Sequence, residues 1–290
     1  MSIQGLTIIG ESINDSVPST HELFEKNDIA GIVELAKSQA DSGAKYIDVN
    51  IGLRPPSFMA EVVKKIQERV SIPLSIDTPD PAIAEAGLLA YNPEKAGNKK
   101  PILNSISMAR LEMFDLYKKQ PFMPILLSTE TVDEAGNSKM NKTGEETYKT
   151  AKELVRIARE RIPGVNNEDL ILDPGIMPIG SDSEGNFKRL ITAIKLIHQD
   201  SDLKGTNMSV GLSNFTVMLP SKRADGSPVK GPLESAFLTM AMPYGLNMII
   251  GSVKRKYAIL PEDHPAMQCL KDVLELEGFD IITRVMSFYS

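Results

Sequence analysis

The stretch IAGIVELAKSQADSGAKYIDVNIG, Ile29 to Gly52, contains one helix pattern and one strand pattern in succession. In its first half Ile32, Leu35, Ala36 and Ala40 recur at three- and four-residue spacing, the apolar stripe of an amphipathic helix over Ile29–Asp41. In its second half a short apolar run, Tyr46–Val49, leads into the polar end Asp48-Val49-Asn50-Ile51-Gly52. The same alternation continues in both directions. Strands are predicted at Leu6–Ile9, Tyr46–Val49, Leu74–Ile76, Ile102–Leu103, Ile125–Leu127, Leu170–Leu172, Met208–Leu212 and Met248–Ile250. Helices are predicted at Ile29–Asp41, Ser57–Val70, Pro81–Leu89, Met108–Lys119, Glu145–Arg161, Asn186–His198 and Pro232–Met242. Eight strands with regular crossovers predict a parallel sheet, closed as one (β/α)8 TIM barrel domain over residues 1–290. An open doubly wound sheet is the alternative, but no Gly-x-Gly-x-x-Gly follows the first strand to support it.

The composition narrows the function classes. Hydrophobic residues make up 42% and charged residues 24% of the 290, the mix of a globular protein with a full core. A net charge of −6 advertises no basic surface for nucleic acid or acidic membrane. The single cysteine, Cys269, has no internal disulfide partner and no second thiol to share a metal. No signal peptide is read at the start, and the longest apolar stretch, around Leu246 to Gly251, is far too short to span a bilayer. The expected location is the cytoplasm. Two long loops, Thr129–Gly144 and Leu219–Gly231, follow the fifth and seventh strands and belong to the face where barrels carry their active sites.

The polar residues that close each apolar run point to chemistry. The strands end in Gly10-Glu11-Ser12-Ile13-Asn14, Asp48-Val49-Asn50, Asp77-Thr78, Asn104-Ser105, Ser128-Thr129-Glu130, Asp173-Pro174-Gly175, Ser213-Asn214 and Gly251-Ser252. Any one of these polar residues also suits a turn or a helix cap. As a set they converge on one barrel mouth. No strand ends in histidine or lysine, which argues against a catalytic zinc, a Cys/His nucleophile or a Schiff base. A carboxylate accepts the paired N–H groups of an aminopyrimidine, and an amide both donates and accepts. Asp and Asn together therefore suit a flat, nitrogen-rich heterocycle, a pterin or a purine.

At these residues the chain resembles the pterin-binding methyltransferases, among them the methyltetrahydrofolate:corrinoid protein methyltransferases, and more distantly dihydropteroate synthase. The resemblance runs from Ile8-Ile9-Gly10-Glu11-Ser12-Ile13-Asn14 through Ile76-Asp77-Thr78, Leu103-Asn104-Ser105, Leu172-Asp173-Pro174 and Gly211-Leu212-Ser213-Asn214 to about Gly251. It implies that Asp77, Asn104 and Asp173 grip the pterin ring, that Gly211 and Ser213 line the same pocket, and that Asn214 is catalytic at N5. Glu11, Asn14, Asp48 and Asn50 also match, with Asp48 and Asn50 read as a buried polar network. The substrate implied is methyltetrahydrofolate or tetrahydrofolate, with the cobalt of a corrinoid protein partner at the other end of the methyl transfer. A homodimer, no bound metal, no nucleic acid and no membrane complete the expectation. Lys222 and Arg223, on the loop after the seventh strand, are candidates for the acidic folate tail. The chain departs from its relatives at Val217, where some carry an amide, and at Val253-Lys254-Arg255. A dihydropteroate synthase is the nearest rival, but Asn14-Asp15-Ser16-Val17-Pro18 lacks that enzyme's Asn-x-Thr-x-Asp-Ser-Phe loop. A non-catalytic folate-binding protein is the other.

Overall fold

The strands are short in the computed structural model, which describes residues 3–290, and Asn14, Asn50, Asp77 and Asp173 end four of them. In chain order they are β1 (Thr7–Asn14), β2 (Tyr46–Asn50), β3 (Leu74–Asp77), β4 (Ile102–Ile106), β5 (Met123–Leu127), β6 (Glu130–Val132), β7 (Ser138–Met140), β8 (Ile171–Asp173), β9 (Asn207–Met208) and β10 (Met248–Gly251). Eight of them form one parallel sheet in the order β10-β1-β2-β3-β4-β5-β8-β9. The ring closes between β9 and β10: the Ile250 amide donates to the Val210 carbonyl at 3.0 Å, and Gly211 bridges Ile250. This is a (β/α)8 TIM barrel.

Between the strands run α1 (Pro18–Glu25), α2 (Ile29–Asp41), α3 (Pro56–Ile66), α4 (Pro81–Ala90), α5 (Gly144–Arg161), α6 (Asn186–Gln199), α7 (Leu212–Phe215) and α8 (Lys230–Ala241), with α9 (Pro265–Glu275) and α10 (Phe279–Tyr289) after β10. Their starts are chemically marked. The Asp80 carboxylate accepts from the Ala82 and Ile83 amides with Pro81 in the first turn, and Thr143 and Glu146 form a capping box on α5. No helix among the described residues is long and apolar enough to cross a membrane.

Three expectations need correction. The seventh strand stops at Met208; the apolar residues Val210 and Leu212 are both buried, but Leu212 opens the helical turn α7. The crossover expected as an α-helix over Met108–Lys119 is a 3-10 helix, Leu111–Lys118, whose N-cap Arg110 offers no side-chain bond. The long loop Thr129–Gly144 carries the antiparallel hairpin β6–β7, and α1, α9 and α10 had no predicted counterpart.

The inside of the barrel is layered. Ile9, Ile102, Ile125, Ile171 and Met248 form a separate buried cluster with Tyr46, Met123 and Ile250 packed on it. Side chains two residues further along a strand face the same way. Two on from Ile9, Tyr46, Ile102, Ile125 and Ile171 stand Glu11, Asp48, Asn104, Leu127 and Asp173. An apolar plug therefore closes the barrel, and the next layer up is polar.

Candidate active site

That next layer lines a cavity of about 330 Å³ at the carboxyl ends of the strands. Glu11, Asn14, Asp48, Asp77, Asn104, Asp173, Gly211 and Asn214 border it, with Leu127, Ile176, Met177 and Ile250 as apolar walls. Acceptors at the edges and hydrocarbon on the faces suit a flat heterocycle.

Asp77 ends β3, and the Asn50 Nδ2 donates to its Oδ2 at 3.0 Å. Asn50 is itself aimed: the Gly52 amide donates to its Oδ1 at 2.9 Å, which turns the NH2 end toward Asp77. Asp48, only 1% exposed, lies on the adjoining strand. Burial and the facing Asp77 hold its carboxyl well above the ordinary carboxylate range. Burial raises Asp77 as well, opposed by the Asn50 bond, by Asp48 and by the charge of Arg110. Asp48 and Asp77 thus form a facing carboxyl pair in which burial and Asp77 favour the protonated form of Asp48, while the Asn50 bond, Asp48 and Arg110 favour the ionised form of Asp77. This is the polar network expected of Asp48 and Asn50.

Asp173 ends β8 and is buried, which pushes its carboxyl up to about 7 against the pull of the Gly175 amide and the Arg189 charge. The Gly175 N–H donates to Asp173 Oδ1 at 2.7 Å. Only glycine serves at 175, where φ is +69° and a Cβ would lie 1.7 Å from the Thr129 methyl. Arg189, buried in α6, fixes this turn from behind by donating to the Pro174 carbonyl at 2.9 Å and the Gly175 carbonyl at 2.8 Å. Arg189 was not legible in the sequence, because it follows Lys188 in an amphipathic helix and nothing in the pattern tells the buried cation from the exposed one. Ile176 and Met177 also escaped notice, since loop residues carry no periodic signal, whereas Thr129, one of the strand-end polar residues, does border the cavity.

Asn214, the exposed residue of the turn α7, reaches the cavity from there, a correction to its expected place at a strand end. Its backbone amide donates to the Gly211 carbonyl at 3.0 Å. A Cβ on Gly211 would lie 2.9 Å from Asn214 Nδ2, so the glycine leaves room for the amide. Ser213 does not border the cavity itself; its hydroxyl donates to the Glu11 carboxylate, which does. Burial pushes Glu11 up, with the Ser213 bond and the Arg255 charge opposing.

Lys222 and Arg223 are not brought to this cavity. Lys222 is exposed, and the Arg223 guanidinium lies 4.1 Å from the ring centre of Phe288 in α10. Among the described residues no group of three or more His, Cys, Asp or Glu is placed to hold a metal ion.

The sequence model of a family described as pterin binding enzyme matches residues 12–251. A methylcorrinoid:tetrahydrofolate methyltransferase of Eubacterium limosum is 28% identical, with 84% of each chain covered. Solved dihydropteroate synthases have the same fold. That of Xanthomonas albilineans in complex with 7,8-dihydropteroate superposes with a TM-score of 0.56 at 14% identity, covering 95% of this chain and 96% of that one. That of Thermus thermophilus gives a TM-score of 0.57 at 17% identity, covering 95% and 94%.

Proposed function

Because the chain belongs to the pterin-binding enzymes, we propose that it moves a methyl group between N5 of tetrahydrofolate and the cobalt of a corrinoid carried by a partner protein. The observation that carries this reading is the meeting of Asp77, Asn104, Asp173 and Asn214 around one cavity. Asp77 and Asp173 accept the N–H groups of the aminopyrimidine edge, and Asn104 completes that edge. Gly211 leaves the ring's far end open to the Asn214 amide.

The name of the Eubacterium limosum relative favours the direction from methylcorrinoid to tetrahydrofolate. In that direction the N5–CH3 bond forms as the cobalt–CH3 bond breaks, the bonding electron pair stays on cobalt, and N5 releases its proton to water. In reverse, N5 is the leaving nitrogen and regains a proton. Charge at N5 changes in either direction, and a preorganised amide dipole beside it lowers the barrier. Asn214 carries no titratable proton, so it acts by hydrogen bonding and the open mouth supplies water. The Asp77 and Asp173 grip holds N5 facing outward, where a protein-bound corrinoid approaches. The partner is a corrinoid protein, and the working assembly is a homodimer.

A dihydropteroate synthase reading fits the fold but not the first loop. There Asn14-Asp15-Ser16-Val17-Pro18 lacks the threonine and the Ser-Phe pair of that enzyme's loop, and Asp15 is bound to Arg54 at 2.6 Å.

Calorimetric titration with tetrahydrofolate tests the binding half of the proposal. Asp77→Ala and Asp173→Ala should each weaken binding about 10–150-fold, the loss of a hydrogen bond to a charged group. Wild-type affinity in both variants, with circular dichroism unchanged, refutes the assignment.

A further inference from the structure

Beside the mouth lies a second cavity, of about 500 Å³, lined by Lys230, Lys254, Arg255, Lys256 and His264, with no carboxylate in its wall. In a chain of net charge −6 this is a local reversal of sign. Arg255 is committed to the buried Glu234 at 2.7 Å, whereas Lys254 and Lys256 are exposed. Lys230 opens α8, which has no side-chain N-cap, so the positive end of the helix adds to the same field. Clustered cations without counter-charge repel one another and favour an anion between them.

The hollow adjoins the rim of the pterin cavity. Lys230 Nζ donates to the Val217 carbonyl at 3.3 Å, three residues past Asn214. From the other side Glu234 joins Arg255 to Thr216, whose hydroxyl donates to its carboxylate at 2.5 Å. The chemistry of a folate makes this adjacency matter. Its p-aminobenzoyl-glutamate substituent is attached to C6, the ring carbon bonded to N5. With N5 at Asn214, the substituent starts one bond from N5, close to the Asn214–Val217 segment that Lys230 binds.

We infer that this basic hollow binds the carboxylates of the folate's glutamate tail, including γ-linked glutamates added beyond the first. The inference rests on the proposed pterin site, and it moves the tail contact from Lys222 and Arg223 to Lys230, Lys254 and Lys256.

Calorimetry with three probes separates the tail site from the pterin site. They are 6-methyltetrahydropterin, which has no tail, tetrahydrofolate with one glutamate, and tetrahydrofolate with three. The wild type should bind the triglutamate about tenfold tighter than the monoglutamate at low salt, with the preference shrinking as salt rises. Lys254→Ala with Lys256→Ala should abolish the preference and leave 6-methyltetrahydropterin affinity unchanged. Equal affinity for one and three glutamates in the wild type overturns the inference while leaving the pterin site standing. So does a preference lost in Lys222→Ala with Arg223→Ala but kept in the Lys254, Lys256 pair. A pair of variants that keeps the preference but slows transfer to a corrinoid protein also overturns it, and assigns the lysines to docking. No binding of any of the three probes overturns the pterin site itself.

Discussion

Asn214 and Asp173 each tie one atom to one step. The Asn214 amide gains value only as charge changes at N5. Asn214→Ala should therefore slow single-turnover methyl transfer about a hundredfold, the usual effect of losing one preorganised donor at ~3 kcal/mol. Binding of unmethylated tetrahydrofolate should fall far less, since other groups hold the ring. Equal losses in rate and affinity would reduce Asn214 to a positioning residue.

Asp173 links binding to pH. Its carboxyl sits near 7 in the folded protein because burial disfavours the charge, yet the pterin N–H groups require that charge. Affinity should therefore weaken as pH falls below about 7, approaching tenfold per pH unit. Stability runs the other way. A carboxyl raised in the fold holds its proton more tightly there than in the unfolded chain, so stability is lost as pH rises from about 4 to about 7. Asp173→Asn keeps an oxygen for the Gly175 amide and removes the ionisation. It should stabilise the empty protein by up to roughly 4 kcal/mol above pH 7, have little effect near pH 4, and weaken pterin binding. Melting temperatures at pH 4 and pH 8 check the first part; no difference between the pH values would contradict it.

The helix pair α5 and α6 supports that carboxylate from outside the barrel. A Cβ on Gly144, the first residue of α5, would lie 2.5 Å from Thr192 Cβ and 2.9 Å from the backbone nitrogen of Ala193 in α6. Thr192 Cβ is fixed to its backbone and the Ala193 nitrogen is backbone itself, so neither can turn aside and the helices must part. Gly144→Ala should cost about 1–3 kcal/mol despite alanine's better helix propensity, and should shift the Arg189 contacts that hold the turn after Asp173. Thermal melts give the first effect and the pH profile of pterin binding the second. An unchanged melting temperature would mean the crossing is looser than it looks.

Elements were legible where one periodicity ruled. The Ile29–Asp41 helix agrees with its predicted bounds because its apolar stripe is unbroken and Asp28 caps it. Asp77, Asn104 and Asp173 stood out as polar residues closing apolar runs, and the resemblance gave them their role; in the structure all three border the cavity. Asn214 was found by resemblance and mislocated by pattern: Val210 and Leu212 are buried whether the chain runs on as a strand or turns into α7. Lys222 and Arg223 show the opposite limit. Charge on a loop says nothing of direction, and Arg223 spends its guanidinium on Phe288.

As a whole, the molecule divides its barrel into an apolar plug and a polar mouth, and the reaction proposed needs only that mouth and two visiting substrates. The most direct test supplies both. Methylated corrinoid proteins, chosen from those encoded nearby and carrying a 13C-methyl group, are mixed with tetrahydrofolate and exhaustively chelated enzyme. The products are read by NMR and by the cobalt absorption bands. The expected product is 13C-methyl at N5 of tetrahydrofolate, formed at the rate at which methylcorrinoid disappears, with no metal ion required. Label that stays on cobalt with every corrinoid protein tried, while the same enzyme condenses a pterin pyrophosphate with p-aminobenzoate, would contradict it.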